Sequence, residues 1–393
     1  MSSDSMQSFL DDIRADLAEL KSSGNYRRLR EIAPEGEGRS RYDGRVLCNL
    51  SSNDYLGLAG DSALREEFYR QYNGDWRTPE LALSSASSRL LTGNTPAYAR
   101  LEATLSELYG GRAALVFNSG YHANIGILPA LAKAGDLVIS DKLNHASIID
   151  GLRLGGAEFL RYPHLALDRL EATLAARRHK YKRVFVVTES IFSMDGDTVD
   201  LRQLVALKER YGCALVVDEA HAVGVRGPKG AGFCAEQGVA ERVDVLIGTF
   251  GKALGSTGAY AIMAPELREY LINHMRPLIF TTGLPPVVLN WSRFALQRCA
   301  TMDRERAELK RLAMLLRGWL HEVGREQPGD TQIVPYVIGD ADAALVTARR
   351  FQEHGFLVFA IRPPTVPAGT SRLRFSLSAA LRTEDLAPIR ELL

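Results

Sequence analysis

Lys252 lies in the run Gly248-Thr249-Phe250-Gly251-Lys252-Ala253-Leu254-Gly255-Ser256, directly after the apolar stretch Val243-Asp244-Val245-Leu246-Ile247. Glycines on both sides let backbone or a bound group come close to that side chain. A lysine placed where a buried strand gives way to such a turn is poorly explained as a solvated charge. It reads as an amine that forms a Schiff base with a carbonyl. Upstream, the apolar run Cys213-Ala214-Leu215-Val216-Val217 ends in Asp218-Glu219-Ala220-His221. A buried parallel strand delivers acids to its carboxyl end in this way, and ligands of such sheets collect at those ends. Pyridoxal 5'-phosphate (PLP) needs a carboxylate beside its ring nitrogen if the ring is to act as an electron sink, and Asp218 can supply one.

A second candidate segment is Ser119-Gly120-Tyr121-His122-Ala123-Asn124, which follows the apolar run ending at Phe117. It should open a helix, whose first amides and dipole can receive a phosphate.

These residues need a scaffold. The chain has 393 residues, enough for two or three domains, and its 46% apolar and 24% charged residues are ordinary for a globular enzyme. A net charge of +1 gives no sign of a nucleic-acid-binding face. Cys48, Cys213, Cys234 and Cys299 lie far apart without a C-x-x-C pair, which speaks against a disulfide framework and a zinc site. No stretch approaches a membrane span and the start does not resemble a secretion signal, so a cytoplasmic protein with no membrane partner is expected.

Phe9, Ile13, Leu17 and Leu20 have helical spacing and predict an amphipathic entry helix. Strand-like runs at 113–117, 137–139, 184–187, 214–217 and 243–247 alternate with helical patterns, so the fold class is α/β, with a mostly parallel central sheet and helices on both faces. Pro285-Pro286 closes this body. The stripe Leu309, Leu312, Leu316, Trp319, Leu320 and Val323 predicts a core-facing helix, followed by a smaller α+β unit with strands at 332–338, 356–361 and 372–378. The expected division is an N-terminal segment 1–45, a large cofactor domain 46–286 and a small C-terminal domain 287–393.

With Lys252, Asp218 and His221 in place, the chain resembles the α-oxoamine synthases, PLP enzymes of fold type I that condense an amino acid with an acyl thioester. Six separated motifs carry the resemblance: Ser51 to Leu58, Ser88 to Gly93, Asn144-His145-Ala146-Ser147, Ser193 to Asp197, Asp218 to His221, and Thr249-Phe250-Gly251-Lys252. It implies that Lys252, His145 and Asp218 are catalytic, with His145 stacked on the PLP ring. Gly120, Tyr121, Ser193, His221 and Thr249 are implied cofactor contacts. Thr281 and Thr282 match a segment that reaches the phosphate of a neighbouring subunit, which implies a homodimer with shared active sites. Arg374 is the implied grip on the amino acid carboxylate, where a planar fork suits bidentate pairing, with Asn53 beside it. Arg372 is a flanking second candidate. One departure stands out: Leu83-Ser84-Ser85-Ala86-Ser87-Ser88 lacks the glycines many relatives carry there.

Within the family, Ala360 to Thr370, containing Arg362-Pro363-Pro364-Thr365, resembles the segment of members that join L-alanine to a pimeloyl thioester in biotin biosynthesis. Thr365 and Arg27 match substrate-contacting positions of those members. Prolines stiffen this loop, so it can wall an acyl channel. Whether pimeloyl arrives on coenzyme A or on an acyl carrier protein stays open. The alternative is a glycine C-acetyltransferase that uses glycine and acetyl-CoA.

Overall fold

The computed structural model describes residues 3–326 and 329–393, beginning with the helix Ser3–Ser22. Its apolar stripe Phe9, Ile13, Leu17 and Leu20 is exposed on the single chain. A small antiparallel ladder follows, made of β1 (Ala33–Gly36), β2 (Arg39–Tyr42) and β3 (Arg45–Asn49).

The central sheet comprises β4 (Ala113–Phe117), β5 (Leu137–Asp141), β6 (Glu158–Tyr162), β7 (Val184–Glu189), β8 (Ala214–Asp218), β9 (Val245–Thr249) and β10 (Ala259–Met263). Its order is β4-β10-β9-β8-β7-β5-β6. Neighbours from β6 to β9 pair in parallel, whereas β10 is antiparallel to both β4 and β9. Strands β5, β7, β9 and β10 are buried at every residue, as strands covered on both faces must be. Alternation divides the side chains between two apolar layers. Leu115, Val138, Val216 and Ile247 enter one layer, and their neighbours Val116, Ile139, Val217 and Leu246 the other.

The connecting helices carry readable end signals. Helix Leu201–Tyr211 starts with Asp200 accepting from the Gln203 amide and stops at Gly212 with φ 61°, a left-handed turn that glycine adopts without strain. It feeds straight into β8 and so delivers Asp218 to the carboxyl edge of the sheet.

The terminal unit contains β11 (Ile333–Gly339), β12 (Phe356–Leu357), β13 (Ala360–Ile361) and β14 (Ser371–Ser376). Strands β11, β14 and β13 form an antiparallel sheet, while β12 pairs in parallel with β3. The strand expected over 356–361 is therefore two short strands in different sheets. The N-terminal ladder shares a sheet with the terminal unit. Strands β6 and β10 have no counterpart in the sequence reading.

Candidate active site

The turn after β9 holds Lys252. The chain returns as β10 with Ala259 opposite Thr249. Between them the Phe250 amide donates to the Gly258 carbonyl (3.0 Å), Ser256 to Phe250 (2.9 Å) and Gly255 to Lys252 (2.9 Å). Gly255 has φ +56°, and a Cβ there would stand 2.6 Å from the Ala59 amide nitrogen, so only glycine lets the turn close on the Ser51–Leu58 segment. Lys252 Nζ reaches His221 Nε2 at 2.7 Å. Burial pulls the Lys252 ammonium down to about 8, against the opposing pull of the Asp218 and Glu189 charges.

A continuous polar chain runs on from there. His221 Nδ1 lies 2.6 Å from the Tyr55 hydroxyl, which lies 3.0 Å from Asn53 Oδ1. Both terminal nitrogens of Arg374 donate to the same Asn53 oxygen at 3.2 Å, and Arg374 Nη2 reaches Tyr55 Oη at 3.3 Å. Arg374 Nε donates to the Ser193 carbonyl. Burial and then the Lys252 charge push His221 well below the usual imidazole range, so it is neutral. The structure thus brings Asn53, His221, Lys252, Ser193 and Arg374 together. Arg372 is turned away and pairs with Asp195.

A second network supports the acids. Asp218 accepts from Asn124 Nδ2 at 2.8 Å and from the Ala220 amide at 2.9 Å. Asn124 also donates to Ser147 Oγ (3.0 Å), which lies 2.7 Å from His145 Nδ1. His145 caps the helix Ala146–Leu154 by accepting from the Ser147 amide. Its own amide donates to Glu189 Oε1 at 2.5 Å. The imidazole keeps an exposed face, and desolvation lowers its pKa.

The loop bearing Ser193 is fastened from its far side. His164 Nδ1 is 2.9 Å from Asp141 and Nε2 is 2.8 Å from Asp197, with the ring edge-on to Phe192. Although burial pulls its pKa down, the hydrogen bonds to Asp141 and Asp197 win and raise it to about 9.

Gly120 begins the helix Gly120–Leu131, where Ser119 accepts from the His122 amide, and a Cβ added at Gly120 would meet nothing within 4 Å. That open helix start suits a phosphate. Tyr121 is 48% exposed and its hydroxyl donates to Asp150, leaving the ring face available for contact. Thr249 Oγ1 donates to the Gly258 carbonyl and accepts from the Gly251 amide, so in this state it ties the lysine turn together. Thr282 bridges to Ser88, and Asn118 Nδ2 donates to the Thr282 carbonyl at 2.7 Å and reaches Thr281 Oγ1 at 3.5 Å. The glycine-poor segment therefore backs the 281–283 strip: Gly283 donates to the Ser87 carbonyl, and Ala86 takes φ 50°, a conformation glycine would hold at less cost.

Arg27 Nη2 lies 3.3 Å from Thr365 Oγ1, joining two positions far apart in the chain. They line a cavity with Arg28, Arg30 and Arg362. Among the described residues no hydrogen bond links this pair to the Lys252 chain.

Three site residues went unread in the sequence. Tyr55 sits within a motif whose other members drew attention, and Asn124 lies one helical turn after Gly120, where its amide can face the neighbouring strand end. Glu189 ends β7 as Asp218 ends β8, a repeated strand-end acid that could have been noticed.

The constellation fits PLP: a desolvated lysine amine, a buried carboxylate held by donors, an accessible imidazole face and an open helix start. Comparison with known proteins agrees. The family model for aminotransferases of class I and II matches residues 45–393. An 8-amino-7-oxononanoate synthase of Chlorobaculum parvum is 52% identical over 93% of this chain and 94% of its own. Among solved structures, a serine palmitoyltransferase from S. paucimobilis with a bound PLP–myriocin aldimine superposes with a TM-score of 0.87 at 30% identity, covering 98% of this chain and 96% of that one. The 8-amino-7-oxononanoate synthase of Francisella tularensis gives 0.74 at 25% identity over 88% of this chain and 96% of that one. The chain belongs to the class I and II aminotransferase family, in its 8-amino-7-oxononanoate synthase branch. It is a PLP-dependent acyltransferase of the fold type I architecture. Among the described residues no helix is long and apolar enough to cross a membrane.

Proposed function

We propose that this enzyme joins L-alanine to a pimeloyl thioester, carried by coenzyme A or an acyl carrier protein, releasing carbon dioxide and 8-amino-7-oxononanoate for biotin synthesis. The observation that carries this reading is the unbroken polar chain from Lys252 Nζ through His221 and Tyr55 to Asn53 and Arg374. An amine at one end of that chain and a guanidinium at the other support an α-amino acid as the substrate.

When bound, PLP supplies an electron sink for the negative charge that develops at the amino acid Cα. Lys252 would hold it covalently, with Asp218 at the ring nitrogen, His145 against the ring, and Ser193 and His221 beside the phenolic oxygen. Gly120, Tyr121 and Thr249 would receive the phosphate, with Thr281 and Thr282 serving the other subunit of a cytoplasmic homodimer. Arg374 and Asn53 bind the alanine carboxylate and orient the Cα–H bond. Lys252 Nζ, neutral once released, takes the Cα proton; a pKa near 8 suits a base that works around neutrality. Thr365 and Arg27 wall the acyl side.

The test is a crossed assay of alanine and glycine against pimeloyl-CoA and acetyl-CoA. Alanine with pimeloyl-CoA should lead by at least about tenfold in kcat/KM, roughly 1.4 kcal/mol of transition-state discrimination. A lead for glycine with acetyl-CoA would replace the substrates and leave the lysine chemistry standing.

A further inference from the structure

We infer that Tyr55 sets the tautomer of His221 and so couples the carboxylate-binding end of the site to the lysine. Tyr55 is wholly buried, and no role for it follows from the family motifs quoted above.

The argument is a count of hydrogens. A phenol has one to donate, and this one has two acceptors in reach: His221 Nδ1 at 2.6 Å and Asn53 Oδ1 at 3.0 Å. If the hydrogen points to Asn53, the phenol oxygen must accept from a protonated Nδ1. His221 Nε2 is then bare and accepts from the Lys252 ammonium 2.7 Å away. If the hydrogen points to His221, the neutral ring carries its proton on Nε2, which faces Nζ and cannot accept. Only an uncharged amine satisfies that arrangement. The position of one phenolic hydrogen therefore decides whether His221 receives or gives at the lysine.

Asn53 Oδ1 links this choice to Arg374. The two guanidinium nitrogens share that oxygen with Tyr55, and a carbonyl oxygen has two lone pairs. A carboxylate engaging Arg374 competes for its N–H groups and leaves Asn53 Oδ1 a better acceptor for the phenol. Occupation of the carboxylate end thus favours the tautomer with Nδ1 protonated and Nε2 accepting. Ser376 and Gln332 also border the phenol, and Gln332 Nε2 donates to the His221 carbonyl, fixing the ring's backbone. Tyr55 is accordingly a positioning residue that acts through His221.

The test is solid-state ¹⁵N NMR of the full-length, histidine-labelled chain at a pH well above 8, where the Lys252 amine is uncharged and either tautomer can form, first cofactor-free and then loaded with PLP. The His221 signals are assigned by difference from His221→Gln. The cofactor-free wild type should show Nδ1 protonated and Nε2 bare. Tyr55→Phe, which leaves Nδ1 without a partner, should abolish the preference for a proton there, and Asn53→Ala, which keeps the phenol but removes its outward acceptor, should reverse the arrangement. The second variant decides the matter if the first does not fold. In the loaded enzyme, Tyr55→Phe should lower kcat/KM for alanine by at least about tenfold, the loss of one hydrogen bond to a charged network. An unchanged tautomer in a folded variant overturns the inference. The functional coupling rests on the roles proposed for Lys252 and Arg374, but the cofactor-free spectra do not: reversed tautomers without alanine turnover would uphold the inference and sink that reading.

Discussion

Glu189 and Asp218 stand opposite each other in register at the ends of the adjacent parallel strands β7 and β8. Both are buried, and the consequences fall unequally. Burial and then the Asp218 charge push Glu189 up to about 8, while Asp218 is served by donors from Asn124 and Ala220. Two like acids whose surroundings differ divide the work: one keeps its proton and the other can serve a pyridinium.

Replacing Glu189 by Gln should leave the hydrogen bonding of the site intact at neutral pH, because the amide oxygen still accepts from the His145 amide. The folded acid binds its proton more tightly than an unfolded one, whose pKa is 4.5, so its cost to stability grows as pH rises from there through about 8. Denaturant titrations should show Glu189→Gln gaining on the wild type across that window and matching it at its acid end.

Lys252→Ala should abolish turnover and the visible absorbance of covalently held PLP. Asp218→Asn should retain bound PLP yet lose at least about a hundredfold in kcat, since a neutral amide cannot keep the ring nitrogen protonated. Spectra and steady-state rates on the same preparations separate the two lesions. Near-normal turnover in either variant removes that residue from its assigned place.

His164 gives a prediction of the opposite pH sense from that of a salt-bridged acid. Its folded pKa is raised above the unfolded 6.5, so the stability it adds is complete below 6.5 and is lost as pH rises through about 9. The amount is on the order of 1–3 kcal/mol after allowance for solvent screening. His164→Gln should flatten that part of the stability curve. Because the same clamp holds the Ser193 loop behind Arg374, KM for alanine should rise.

Thr282 tests the shared site. Lys252→Ala and a Thr282→Ala chain, each inactive or nearly so, should on mixing and subunit exchange recover activity, because a hybrid dimer contains one intact site. Verified heterodimers without recovery would show that each subunit works alone.

Much of this site was legible because its chemistry follows strand ends. Asp218 and Lys252 are announced by apolar runs that stop abruptly, and the residues beyond them meet because β8 and β9 are neighbours. Strand β10 escaped notice because its run, Ala259 to Met263, follows the lysine turn so closely that nothing marks a return of the chain. The antiparallel reversal comes from pairing on both sides, which no local pattern reports. Tyr55 was hidden for another reason. An aromatic followed by Leu56 and Leu58 reads as core, and it is core; its hydroxyl acquires meaning only when His221, more than 160 positions away, closes on it. The pairing of β12 with β3 is likewise a long-range contact between two strands too short to declare themselves.

The reversal at β10 has a further consequence for how the enzyme comes into being. The ends of the lysine turn are held together by the ladder from Thr249 to Ala259, so closing it constrains only a short loop and costs little entropy. Contacts this local form early in folding, whereas those joining Asn53 to Arg374 span most of the chain and must wait. Asp218 and Lys252 are both made well before Arg374, so the carboxylate-binding end is the last part of the site to be completed.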